Sequence, residues 1–133
     1  MKMRSVAQVL ALVVLLTAGL GAPVHADDDV SGAACRAVTW LRGQQKPDGG
    51  FGVTQESSAA VTADVIYVLA LLGEDVASPR WTAASGKSAL DALQVLSLPT
   101  YAASDPGQAG KVTRAVAAAG ANPRNFGGVD LVG

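Results

Sequence analysis

The spacing of apolar and polar positions changes several times along the chain, and each change marks a predicted element. Residues 6–16 carry no charge and are almost wholly apolar. From Ser31 the spacing becomes helical. Ala34, Ala37, Val38 and Leu41 recur at i, i+3, i+4 and i+7, which predicts a helix with Ser31 as N-cap and an end near Gln44. Lys46-Pro47-Asp48-Gly49-Gly50 stops it, because proline cannot continue a helix and glycine allows positive φ. A second helix is predicted over residues 57–72, closed by Gly73 and then Pro79. It has almost no polar side, so it is expected to be covered all round by neighbours. A third helix is predicted over 83–96, stopping before Pro99. The fourth opens with Asp105 as N-cap and Pro106 at its first position and stops at Gly120. Residues 129–133 read as the start of a fifth. No run alternates in the manner of a strand, so the predicted fold class is all-α.

Composition changes the meaning of the first apolar run. Half of the 133 residues are hydrophobic and only 16% are charged, with a mean hydropathy of +0.31. A short chain this apolar is either a membrane protein or a small domain with a targeting segment. Here Lys2 and Arg4 form a basic tip, residues 17–21 break the run, and Val24-His25-Ala26 puts small residues at the last position and two before it. Asp27-Asp28-Asp29 follows at once. That order fits a secretory signal peptide over residues 1–26, too short for a comfortable membrane span. The expected organisation is therefore a leader (1–26), a disordered acidic start (27–30) and a folded region (31–133). The protein is expected to be secreted or extracytoplasmic, with no membrane span after cleavage.

Losing the leader changes the charge and the available chemistry. Lys2 and Arg4 depart, leaving eight basic side chains against eleven acidic ones and a net charge of −3. No basic patch remains to displace counterions from phosphates, so nucleic acid is not an expected partner. His25, the one histidine, departs too. The mature chain then has no imidazole for nucleophilic catalysis or zinc ligation. Cys35 is the only cysteine and cannot form an internal disulfide. It reads as a small buried helix residue rather than a lipidated N-terminus.

Turn chemistry recurs. Residues 46–52 (Lys-Pro-Asp-Gly-Gly-Phe-Gly) and 122–128 (Asn-Pro-Arg-Asn-Phe-Gly-Gly) both group a proline, polar residues, glycine and phenylalanine. Such recurrence points to stacked helical hairpins. Around the first turn lie Arg36, Trp40, Gln45, Gly49 and Phe51. Their spacing resembles the QW motif of the terpene cyclase and protein prenyltransferase superfamily, which includes the squalene cyclases, with Phe51 where the family usually has Trp. The resemblance covers residues 36–51 and implies an (α/α) toroid of helical hairpins over 31–133. Because such toroids need more hairpins than the two visible here, it also implies an incomplete toroid, a fragment of a longer protein. In physical terms Trp40 should pack its helix on a neighbour, and Gln45 should satisfy orphan backbone groups at an adjoining helix end. Gly49-Gly50 should let the chain reverse so that Phe51 returns near Gln45. These roles are structural. The family's chemistry takes place in a cavity lined by inner helices, and the resemblance makes residues 57–72 one of these.

The family's catalytic signatures do not occur. The chain lacks the Asp-x-Asp-Asp of the proton-initiated cyclases and the Gly-Cys-Gly-Glu-Gln of the thioester toroids. The Asp/Cys/His zinc set fails for want of histidine, and Asp27-Asp28-Asp29 has no second carboxylate at diphosphate-binding spacing. No catalytic residue, metal or cofactor is therefore expected. Cavity-lining candidates are Ser57, Asp64 and Tyr67, which share a helical stripe at offsets of seven and ten positions. The alternative is that Asp64 only complements the helix dipole while Tyr67 points its hydroxyl to solvent. Trp81 and Tyr101, in links, are expected to cover the core, and Lys111, Arg114 and Gln108 to form a solvated helix face. Two functions are consistent with all this. One is a non-catalytic exported module that binds an apolar small molecule or a protein partner; the other is an isoprenoid-acting enzyme whose catalytic residues lie outside this chain.

Overall fold

In the computed structural model, which describes residues 26–133, the backbone settles into four helices longer than a single turn. These are α1 (Ala26–Gln44), α2 (Ala59–Leu71), α3 (Ala89–Leu96) and α4 (Pro106–Ala118). Single 3-10 turns occupy Pro79–Trp81 and Pro123–Asn125. Among the described residues there is no strand beyond the isolated bridges Thr82–Ser88 and Phe126–Val129, so the fold is all-α. No described helix is long and apolar enough to cross a membrane. The expected leader lies outside the described residues apart from Ala26. By its contacts the chain divides into two units, Met1–Ala33 and Ala34–Gly133. The described part of the first unit is the opening of α1, and all the remaining elements belong to the second.

Helix α1 already includes Ala26, the first described residue, so Ser31 lies inside it rather than capping it, and residues 27–30, expected to be disordered, are helical. Of the predicted apolar face Val38 is buried and Ala34 and Leu41 half-buried, whereas Ala37 is exposed. Cys35, however, is exposed rather than buried.

Helices α2 and α4 are built alike. Ser58 caps α2 by accepting from the Val61 N–H at 3.3 Å, and Asp105 caps α4 by accepting from Gly107 and Gln108 at 2.7 and 3.2 Å. Each stops on a glycine at positive φ, Gly73 at +79° and Gly120 at +74°. The same pair of bonds follows each stop: Gly73 to Ala70 and Glu74 to Leu69, then Gly120 to Ala117 and Ala121 to Val116. This is the Schellman ending, in which two orphan carbonyls of the last turn are satisfied. Cap, first residue, last residue and stop of α4 all follow their α2 counterparts by 47 positions, the separation of Asp64 and Lys111.

Helix α3 is shorter than predicted. Residues 83–87 form a turn instead, with Ala83 N–H donating to the Lys87 carbonyl at 2.9 Å. Ser88 then caps the helix in a box with Asp91. The Ser88 hydroxyl accepts from the Asp91 N–H while the Asp91 carboxylate accepts from the Ser88 N–H at 2.9 Å. The bond from the Ser88 N–H, and after it one from the Ser88 hydroxyl, which donates to the same carboxylate at 2.8 Å, hold the Asp91 carboxyl below its ordinary value of 3.8. A depressed carboxyl stabilises the fold above its unfolded pKa and ceases to do so as pH falls through its folded value. Wild type should therefore lose more melting temperature than Asp91→Asn between about pH 5 and about pH 3. Ser88→Ala should cost about 0.5–2 kcal/mol at neutral pH. Thermal melts at a series of pH values check both.

Beyond Leu96 the backbone widens into a π turn, Ser97–Tyr101, with Ala102 N–H donating to the Ser97 carbonyl, and then one α turn, Ala102–Ser104. Pro99 lies inside this turn, and lacking an N–H it breaks the regular ladder there. Residues 129–133 do not start a fifth helix. Phe126 and Val129 exchange backbone hydrogen bonds at 3.0 and 3.1 Å, and Leu131 N–H donates to the Pro123 carbonyl at 2.9 Å. This folds the segment back as an irregular arm.

The core gathers Val38, Phe51, Ile66, Leu69, Trp81, Leu93, Val112, Val116 and Phe126. Trp81 is fully buried. Its indole N–H donates to the Glu74 carboxylate at 2.9 Å, and that carboxylate also pairs with Arg80 at 3.1 Å. The expectation that α2 is covered all round is not met. Ala59, Thr62, Ala63, Ile66 and Leu69 are buried, but Val68, Leu71 and Leu72 are 45%, 66% and 43% exposed. The described helices pack on one side of α2 and leave its outer side open.

Candidate functional site

The segment 36–51 is organised around Gln45. At the end of α1 its side-chain amide donates to the Gly49 carbonyl at 2.9 Å and to the Trp81 carbonyl at 2.8 Å. One amide thus joins the end of α1, the glycine turn and the 3-10 turn that carries the core tryptophan. Lys46 and Gly49 close the turn by a backbone bond of 2.9 Å, and Asp48 accepts from the Gly50 N–H at 3.0 Å. Phe51 returns into the core, 2% exposed, with its ring 6.5 Å from that of Trp81 and tilted by 55°. Buried Thr62 of α2 holds the Phe51 backbone from both sides, accepting from its N–H at 3.0 Å and donating to its carbonyl at 3.1 Å. Trp40 does not pack α1 on a neighbour: it is 64% exposed, and Arg36 is exposed beside it. Both point away from the buried side of α1, which Val38 and Leu41 occupy.

Ser57, Asp64 and Tyr67 do not form one strip. Helix α2 begins at Ala59, so Ser57 precedes it and donates its hydroxyl to Asp48 at 2.7 Å. It borders a shallow 400 Å³ depression with Lys46, Asp48 and Glu56. Asp64 and Tyr67 meet α4 instead. Lys111 Nζ lies 2.8 Å from the Asp64 carboxylate and Arg114 3.8 Å from it, with the Arg114 guanidinium 4.2 Å above the Tyr67 ring. The face of Lys111 and Arg114, expected to be solvated together with Gln108, is thus the side of a helix seam. Gln108 accepts from the Ser104 hydroxyl at 2.7 Å. All the seam charges are at least 30% exposed, so the ion pairs themselves contribute little stability and serve mainly to set the register of α2 against α4.

A further concave surface lies on the other side of α4, in residues that none of the sequence motifs contains. Ala109, Gly110 and Thr113 of α4, Leu98 and Ala102 of the widened turn, and Leu131 of the arm enclose a groove of 590 Å³. Thr113 presents no free donor there, because the single hydrogen of its hydroxyl is shared between the Ala109 and Leu131 carbonyls, at 2.8 and 3.1 Å from the oxygen. Asp130 accepts from the Val132 N–H at 2.9 Å and pairs with Arg124 at 3.3 Å. The groove is therefore mainly apolar, and its polar side chains are engaged with the protein itself. Its volume falls in the range of small-molecule sites. The signal that could have found it was the 47-residue offset of caps and stops, which aligns α4 with α2 and sets Pro106, Ala109, Gly110 and Thr113 against the buried Ala59, Thr62, Ala63 and Ile66. Among the described residues no group of three or more His, Cys, Asp or Glu side chains is placed to hold a metal ion. No protein family, no curated protein and no solved structure matches this chain.

Proposed function

We propose that this chain is a non-catalytic, exported repeat module of the terpene-cyclase and prenyltransferase-like kind, which binds an apolar small molecule or an apolar partner surface. The single observation that carries the binding reading is the 590 Å³ groove beside α4, apolar-walled and open. The non-catalytic part rests on how the polar candidates are used. Ser57 is held by Asp48, Asp64 by Lys111, and Tyr67 lies under Arg114. The repeat reading is supported by the double hydrogen bond of Gln45 and the buried return of Phe51, the parts that the motif's spacing assigns to them. It is also supported by the matched ends of α2 and α4.

Fluorescence of anilinonaphthalene sulfonate on the full chain, with farnesol as a competing apolar ligand, tests the reading. Farnesol should displace the dye from the folded protein. Ala109→Asp, which puts a charge on the groove wall, should weaken farnesol binding by about tenfold or more, the cost of leaving a charge against apolar contacts. Dye binding that farnesol does not disturb, or that Ala109→Asp leaves unchanged, would remove the groove as a binding surface.

A further inference from the structure

We infer that the groove beside α4 receives the open side of α2 from a second copy of this chain, joining copies head to tail. The inference rests on the binding reading above and names the partner. Helix α2 buries Ala59, Thr62, Ala63 and Ile66. Their counterparts 47 positions on are Pro106, Ala109, Gly110 and Thr113, and all four line the open groove of α4. The reverse comparison is complementary. Helix α4 buries Val112 and Ala115, whereas their counterparts on α2 are Val65, half-buried, and Val68, 45% exposed.

Apart from Leu69 and Val116, counterparts that both face the core, each helix is covered on the side that its counterpart leaves open. Inside one chain α2 and α4 pack directly, and Ala63, Ile66, Val112 and Ala115 belong to one core cluster. Repeating that junction between chains would set Val65, Val68 and Leu72 of one copy into the groove of the next. The charges agree with this placement. Asp64 and Lys111 are counterparts, paired within the chain at 2.8 Å, so the same stacking puts Lys111 of one copy beside Asp64 of the next. Two different surfaces meet, so the contact is heterologous: it closes as a ring or grows as a filament according to the rotation between copies.

Light scattering coupled to size exclusion on the full chain, over a concentration series, should show a mass that rises above the monomer. Two variants block one surface each. Val68→Asp alters an exposed side chain of α2. Gly110→Glu fills the groove at a position where a Cβ meets no atom within 4 Å, so it should not disturb the fold. Each variant alone should be monomeric with an unchanged melting temperature. An equimolar mixture should form dimers and stop there, because only the groove of one and the α2 side of the other remain intact. A wild-type chain that stays monomeric, or a mixture that does, overturns the inference. If the monomeric chain still binds farnesol, the groove holds a small molecule and the binding reading stands; if it binds neither, both fall.

Discussion

Replacing Trp81 by alanine is expected to destabilise the protein by about 3–5 kcal/mol, the range for removing a large aromatic side chain from a packed core. Trp81 has no solvent exposure, and its ring packs against Phe51. The loss goes beyond volume, since Glu74 is left with only Arg80 as a side-chain partner once the indole N–H is gone. Domains of this size have about 5–15 kcal/mol in all. Thermal unfolding followed by circular dichroism should therefore show either a melting temperature lowered by tens of degrees or no cooperative transition at room temperature. Trp81→Phe separates the contributions: it keeps most of the volume, loses the bond to Glu74, and should cost clearly less. A loss below about 1 kcal/mol for Trp81→Ala would mean that the 3-10 turn is not where the core closes.

The second large effect is expected at Gly49. Its φ of +88° lies where an L side chain is strained by about 1–2 kcal/mol. Moreover, a Cβ there would sit 2.6 Å from the Ser88 carbonyl oxygen and 2.7 Å from that of Lys87. Those are backbone atoms at the capped start of α3, so they can retreat only by disturbing the cap, worth about 0.5–2 kcal/mol. Gly49→Ala should accordingly cost about 3 kcal/mol, the sum of strain and lost cap. Gly120→Ala is the control. Its φ is +74°, but nothing lies within 4 Å of the added carbon, so only the strain of about 1–2 kcal/mol applies. Equal losses in the two variants would show that the close approach of the glycine turn to α3 has no energetic weight.

Much of the local structure is legible from residue order. The cap at Asp105, the proline after it, and the glycine stops at 73 and 120 act through bonds to residues a few positions away, so they need no knowledge of neighbours. The start of α3 is not legible in the same way, because residues 83–87 have no strong breaker until Gly86, and the cap at Ser88 competes with alternatives of similar local appearance. Trp40 departs from expectation for a different reason. Its spacing places it on a helix, but which side of α1 is covered depends on where the rest of the chain lies, and Val38 and Leu41 take that side. The stripe of Ser57, Asp64 and Tyr67 fails at its first member, since α2 starts two residues too late to include it.

The sequence by itself determined that the protein is helical, where α2 stops, and where α4 starts and stops. Periodicity, caps and glycines at positive φ are short-range and carry their own physical cause. Only the tertiary structure decided that Gln45 reaches the Trp81 carbonyl across 36 positions, that Lys111 and Arg114 answer Asp64 and Tyr67, and that α4 opens a groove where α2 is buried. Those outcomes depend on which helix faces meet, and burial is a property of the neighbour as much as of the residue. The apolar composition carries the same division. It announced helices with faces to cover, and only their packing shows that Val68, Leu71 and Leu72 remain uncovered.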